Sequence, residues 1–305
     1  SGGALLTASG GTRSQLAWMT PDGATKVISK ETRDFASPRL SPDGSRIAVT
    51  VGDQDKSAIW IYDLATTTFS SLSTVEGAMS PSWTSDGKRV VYAGRGEYER
   101  SAVWSQNADG GSAPVKLFDV DHLVAAASLS PDNGSVIYSN FIANDWQVSR
   151  VSLDAPTVIS TYIKPGAGAV QPSFSPDGKW VALTSFESGQ SEIYVRSYPD
   201  PSARVQISAG GGNSAAWSAD GTRVLYRKGS VLMSAKLSTA PSLRVLSRDT
   251  VLLSAPSATN SGLTRNYDVA KDGRILALAT NKNDFELVIV PNWLPELRER
   301  LSGKK

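Results

Sequence analysis

Six times in 305 residues the chain writes a short apolar stretch, a polar turn ending in Asp-Gly, and a second apolar stretch. The clearest copy runs from Gln171 to Thr184, where Ser175-Pro176-Asp177-Gly178 joins Phe174 to Trp180-Val181-Ala182-Leu183. Proline fixes φ at the first turn position, aspartate can bond the backbone two residues on, and glycine accepts positive φ. Two β-rich runs joined by such a turn form a hairpin. The other copies are Ser41-Pro42-Asp43-Gly44, Thr84-Ser85-Asp86-Gly87, Ser130-Pro131-Asp132-Asn133-Gly134, Ser218-Ala219-Asp220-Gly221 and Ala270-Lys271-Asp272-Gly273. Successive aspartates lie 43, 46, 45, 43 and 52 residues apart. Each turn follows an apolar anchor: Leu40, Trp83, Leu129, Phe174, Trp217 or Val269.

A third β-rich run follows each aspartate after about 17 residues, as in Ile59-Trp60-Ile61-Tyr62 and Ile193-Tyr194-Val195. A fourth often closes the unit, as in Phe69 to Leu72. Four strands at this period predict an all-β fold, a β-propeller of four-stranded antiparallel blades. A four-stranded sheet cannot cover both its faces alone, so blades stack radially and shield one another. One propeller domain is expected over 1–305, because a ring of repeats is one cooperative unit. Its units fall at about 1–30, 36–74, 79–118, 126–163, 171–208, 213–254 and 265–290.

That count is seven, the first unit lacking its inner strand and the last its outer one. In a six-bladed alternative, Asn266 to Val269 would complete the first blade and later strands would be surplus. Leu294, Leu297 and Leu301 share a helical face, which predicts a short helix over 293–301. That helix is expected to cover the seam between two incomplete units, which would be the weakest in the ring because open strand edges invite pairing.

The 31 Lys and Arg against 29 Asp and Glu leave a formal charge of +2, too little to argue for nucleic acid or an anionic membrane. With no cysteine, nothing points to disulfides, thiolate chemistry or a cysteine zinc site. No apolar run reaches the roughly 20 residues that span a bilayer. The chain begins with Ser and is expected to be a piece of a longer protein.

Catalytic groups are scarce. The one histidine, His122, stands near Asp119 and Asp121 and reads as a loop residue between blades, with a metal ligand or base as the alternative. Gly210-Gly211-Gly212 has no helix after it and reads as an interblade turn rather than a phosphate cradle. One carboxylate per Asp-Gly turn is too few for calcium. No cofactor and no metal are expected.

The Asp-Gly turns mark one face of the ring. Binding residues are expected on the opposite loops: Arg33, Asp34, Asp53, Asp55, Arg95, Glu97, Tyr98, Arg100, His122, Asp145, Trp146 and Glu187. Mixed charge with exposed aromatics there suits recognition of a protein, peptide or small molecule.

The Ser-Pro-Asp-Gly hairpins resemble the WD40-like repeats of TolB-like propellers. Three segments look more closely like propellers joined to bacterial serine/threonine protein kinases. They are Gln15-Leu16-Ala17-Trp18 with Pro21-Asp22-Gly23, Phe174 through Tyr198-Pro199 into Gly212, and Tyr267-Asp268-Val269 with Asn292 to Leu297. The resemblance implies a C-terminal propeller following a kinase domain, often across a membrane helix. Together with the repeats and the scarcity of catalytic groups it gives the expectation of a noncatalytic sensor, extracytoplasmic with a cytoplasmic place as the alternative. A monomer is expected. The kinase's own motifs are absent from this stretch. Two readings stand beside it: the propeller part of a serine peptidase or metal-dependent lactonase, and a TolB-like scaffold in an envelope complex. At Thr84-Ser85, Ala219 and Ala270-Lys271 the turns depart from Ser-Pro.

Overall fold

The computed structural model describes residues 4–9, 13–20, 22–52, 56–97, 100–239, 242–252, 264–280 and 286–291. Every Asp-Gly turn in it closes a hairpin, and the hairpins build six four-stranded antiparallel sheets. Blade 1 holds β4 (Phe35–Leu40), β5 (Arg46–Val51), β6 (Ala58–Asp63) and β7 (Thr68–Ser71). Blade 2 holds β8 (Met79–Trp83), β9 (Arg89–Arg95), β10 (Ser101–Asn107) and β11 (Val115–Val120). Blade 3 holds β12 (Val124–Leu129), β13 (Ser135–Ile142), β14 (Asp145–Ser152) and β15 (Ile159–Ile163). Blade 4 holds β16 (Val170–Phe174), β17 (Trp180–Ser185), β18 (Glu192–Ser197) and β19 (Arg204–Gln206). Blade 5 holds β20 (Asn213–Trp217), β21 (Arg223–Lys228), β22 (Val231–Ser238) and β23 (Arg244–Leu252).

The closing blade joins both ends of the chain. Its order is β24 (Tyr267–Val269), β25 (Ile275–Thr280), β2 (Ser14–Met19) and β3 (Thr25–Val27). The ring therefore has six blades, the alternative count, and not the seven the repeat count favoured. Two segments fit the second place of this blade by sequence, β25 and β1 (Ala4–Ser9). β25 takes it because its turn at 270–273 delivers it already paired with β24. β1 is left to pair with β26 (Glu286–Pro291), Ala4 facing Pro291 and Ser9 facing Glu286. That pairing continues the β2–β25 register, where Ser14 faces Thr280, with a one-residue shift. The two incomplete units expected at a weak seam are thus one complete blade. The helix expected over 293–301 lies outside the described residues.

The first strands of successive blades lie against one another around the ring and wall a central channel. Each of the six junctions has its own apolar cluster. Trp83 and Tyr92 meet Ala48 and Ile59 between blades 1 and 2, and Trp217 and Tyr226 meet Ile193 and Val195 between blades 4 and 5. At the closure, Leu16, Trp18, Leu276 and Leu278 pack on Phe35, Ile47 and Tyr62. At about 25 cal/mol per Å² of apolar surface removed from water, these faces are what hold the blades together.

The first strands carry a feature that the sequence alone did not disclose. Ser37, Ser80, Gln171 and Ser214, each three residues before an anchor, take positive φ of 50 to 60°. Each sits at a register shift, a bulge that aims a polar side chain inward. Hydrogen bonds across junctions hold these strained positions. Ser37 N donates to Asn266 Oδ1 at 3.1 Å, Ser80 Oγ to Ala125 O at 2.9 Å, and Ser214 N to Gln171 Oε1 at 2.9 Å.

Candidate functional site

Five of the six repeated turns are built the same way; the sixth, with Ala270 in the first place, lacks the hydroxyl. In blade 1, Ser41 Oγ donates to Asp43 Oδ1 at 2.5 Å, and Ser45 N donates to the same oxygen at 3.1 Å. Arg46 N then donates to Ser41 Oγ, and Gly44 N to Ser41 O. These donors, the serine hydroxyl first, hold the Asp43 carboxyl at about 2, well below its ordinary value. Asp86, Asp132 and Asp220 are lowered in the same way, first by the hydroxyl of Thr84, Ser130 and Ser218. In the blade 3 turn, Asn133 takes the left-handed place that glycine holds elsewhere, with φ of 60°.

The turns also touch one another from blade to blade. Pro42 lies against Gly87, Pro131 against Gly178 and Pro176 against Gly221; a Cβ on any of these glycines would meet the ring at 3.5–3.6 Å. Arg46 Nη2 donates to Gly87 O at 2.7 Å, and Ser85 N donates to Asn133 Oδ1 at 2.9 Å. Contact thus runs unbroken from blade 1 to blade 5. It stops on both sides of the closing blade. There Ala219 and Lys271 stand where the prolines would be, and nothing lies within 4 Å of a Cβ on Gly273 or Gly44.

A cleft of about 760 Å³ opens at that break, between the closing blade and blade 1. Trp18, Tyr62, Leu40 and Val269 form part of its wall, with Lys26, Lys271, Asp43 and Asp272 among its polar groups. Arg274 lies over the Trp18 ring at 4.3 Å and pairs with Asp272 at 2.7 Å. The lysines are exposed and have no partner among the described residues, whereas both carboxylates are already held by their own turns. The cleft therefore offers an aromatic and aliphatic wall with two exposed, unpaired lysines. None of its polar residues was expected from the sequence to bind. The signal available was the loss of proline at Ala219 and Lys271, which on its own reads as a weakened turn.

Most of the described loop residues expected to bind are engaged with near neighbours. Arg33 pairs with Glu31 and lies over Trp60 at 4.4 Å. Asp34 has Oδ1 buried without a hydrogen-bond partner. Arg95 pairs with Glu76, Glu97 with Lys116 and Arg100 with Asp121, at 3.0 to 3.3 Å. His122 is exposed, and its neighbours Asp119 and Asp121 are already paired with Lys116 and Arg100. Asp145 accepts from Gly166 N, and Trp146 stacks on Phe141 at 5.2 Å. Glu187 joins Arg196 and Arg204 at 2.9 and 3.0 Å. None of these lines the seam cleft. Asp53, Asp55 and Tyr98 fall outside the described residues. Among the described residues no three of His, Cys, Asp or Glu come together as a metal cluster.

The triple-glycine turn does have an anion, but it is the chain's own. Gly211 N and Gln190 Nε2 donate to Glu192 Oε1, and Ser208 Oγ donates to Oε2. Burial alone would raise this carboxyl; the donors outweigh it and hold it below its ordinary value. A Cβ on Gly212 would meet Ser208 at 2.7 Å, so only glycine fits there.

These features define a six-bladed β-propeller, and similar solved structures share that fold. A protein of Agrobacterium tumefaciens assigned as TolB is 16% identical, with a TM-score of 0.68 over 89% of this chain and 99% of that one. TolB of Acinetobacter baumannii is 19% identical, with a TM-score of 0.60 over 78% of this chain and 63% of that one. In sequence, the chain is 24% identical over 211 residues to the uncharacterized peptidase YuxL of Bacillus subtilis. That stretch is 55% of this chain and 31% of the relative's length. No family model matches.

Proposed function

We propose that the chain is a noncatalytic recognition propeller that seats its ligand in the cleft beside the closing blade. One observation carries the reading: the ring of turns is continuous over five blades and broken only around the sixth, where the cleft lies. A wall of Trp18 and Tyr62 with Lys26 and Lys271 at the rim suits a protein, peptide or small molecule that has an apolar body and an acidic end. Thermal-shift screening of peptides, metabolites and cell-wall fragments tests this on the wild type and on an Ala219→Pro/Lys271→Pro variant that closes the turn ring. Stabilising compounds should lose their effect in the variant. Hits that survive it, and are lost instead on changing Glu97 or Trp146, would move the site to the opposite loops.

The larger protein is, in this reading, a bacterial serine/threonine kinase with this propeller as its extracytoplasmic sensor. The support is the three segments that resemble kinase-linked propellers, two of which contribute Trp18 and Val269 to the cleft. The gene's upstream sequence decides it: a kinase domain followed by one apolar span is expected, and a secretory leader in their place would overturn the assignment. A second reading, the propeller part of a peptidase, is favoured by the match to YuxL. It requires a hydrolase domain encoded beyond Lys305.

A further inference from the structure

The central channel narrows to a cavity of about 90 Å³ walled by the first strands of the blades. Arg39 and Arg265 both reach it. Arg265 is balanced by Asp268 at 3.1 Å and donates to Ala215 O at 2.8 Å. Arg39 makes no ion pair among the described residues; the carboxylate whose charge it feels, Asp268, is already paired with Arg265. Its Nη1 donates to the carbonyls of Pro38 and Arg265 at 2.7 and 3.0 Å, and its other nitrogens have no acceptor among the described residues. One positive charge is therefore in excess at the axis of the ring.

Three hydroxyls face the same space. Ser82 Oγ accepts from Leu129 N at 3.2 Å, Ser128 Oγ from Phe174 N at 3.4 Å, and Ser173 Oγ from Arg265 Nη1 at 3.3 Å. A hydroxyl that accepts a bond still has its proton to give. No described residue accepts the protons of these three. Donors in excess and an unbalanced guanidinium would repel a cation and hold an anion.

We propose that this cavity binds a small oxyanion, a carboxylate or phosphate group, between the Arg39 guanidinium and the hydroxyls of Ser82, Ser128 and Ser173. The volume corresponds to about three waters at roughly 30 Å³ each, room for one such group. Burial, followed by the charge of Arg265, pushes the Arg39 guanidinium below its ordinary value, a cost that a bound anion relieves. The site is separate from the seam cleft and stands whether or not that cleft binds anything.

The test is thermal melting of the full chain at constant ionic strength, with sodium chloride exchanged for phosphate, sulfate or acetate. At tenfold excess over Kd the wild type should gain about 2–4 °C. Arg39→Gln should lose the gain, and Ser82→Ala/Ser128→Ala should weaken affinity about tenfold. A larger gain with acetate identifies a carboxylate site, and a larger one with phosphate a phosphate site. The Ala219→Pro/Lys271→Pro variant should keep the gain in full, which separates this outcome from failure of the cleft reading. Equal gains in wild type and Arg39→Gln would overturn the proposal. Should Arg39→Gln not fold, calorimetric titration of the wild type with phosphate decides, and absence of heat at millimolar phosphate overturns it.

Discussion

Two arcs of one ring solve the same packing problem differently. From blade 1 to blade 5 every junction is closed twice, by an apolar cluster inside and by turn-to-turn contact at the rim. On the two sides of the closing blade the inner clusters remain while the rim contact is missing. The inner clusters are enough to close the ring, so the proline contacts are not what makes the fold. They add contact at the rim of one face: the cleft beside Pro176 and Gly221 is about 320 Å³, and the one where the prolines are absent is about 760 Å³.

The sharpest way to break this comparison is to remove one tryptophan from each arc. Trp217→Ala in the closed arc should cost about 3–5 kcal/mol, because its neighbours cannot collapse onto the hole. It also loses the indole bond to Ser173 O at 3.1 Å. Trp18→Ala should cost less, since its ring borders a cleft of about 760 Å³ that water can fill, whereas Trp217 borders one of about 210 Å³. Urea denaturation reads both, and equal losses would mean that the closure is built as tightly as the rest.

A smaller effect is expected at the rim. Asn133→Ala removes two bonds to Ser85 and places alanine in the left-handed region, for about 1–2 kcal/mol. Lys271→Ala, at the proline position of the turn beside the gap, should stay within about 0.5 kcal/mol. A comparable loss for both would show that the open turns are held by contacts that the rim geometry does not reveal.

Proline can also be put back. Ala219→Pro and Lys271→Pro place it where Pro42, Pro131 and Pro176 stand in the sister turns, and neither residue's N–H donates in a turn bond. Each should stabilise by about 0.4–1 kcal/mol, read as a rise in Tm. A fall would show that these two turns differ in backbone from the others.

The smallest effect is the pH dependence of the turns. A carboxyl whose folded pKa lies below its unfolded value stabilises the fold above both and loses that stability as pH falls. For Asp43 the window runs from its ordinary 3.8 down to about 2. Tm should decline across that range, and Asp43→Asn should flatten part of the decline. An unchanged slope would mean that Asp43 is not held by Ser41 and Ser45 in solution.

Much of the ring was legible because hairpins are local. Ser-Pro-Asp-Gly states its turn within four residues, the anchor stands just before it, and the second strand follows at a short distance. The blade count was not legible from the same signals. β1 and β25 both read as second strands, and only the competition for one place beside β2 separates them. The loop residues chosen as binding candidates were selected for charge and exposure, and the structure shows most of them occupied with near neighbours.

What the sequence determined by itself was the all-β class, the four-stranded repeat and the position of every hairpin, since each depends on residues a few places apart. What only the tertiary structure decided was which units meet, and therefore where the ring closes and opens. Ala219 and Lys271 are unremarkable as turn residues; they matter because Gly273 and Gly44, far off in sequence or at the other end of the chain, receive no proline. Arg39 and Arg265 stand 226 residues apart and become neighbours only when the closing blade brings both chain ends to one axis. Contacts of that range carry no local signature, because what fixes them is the burial of six apolar faces at once.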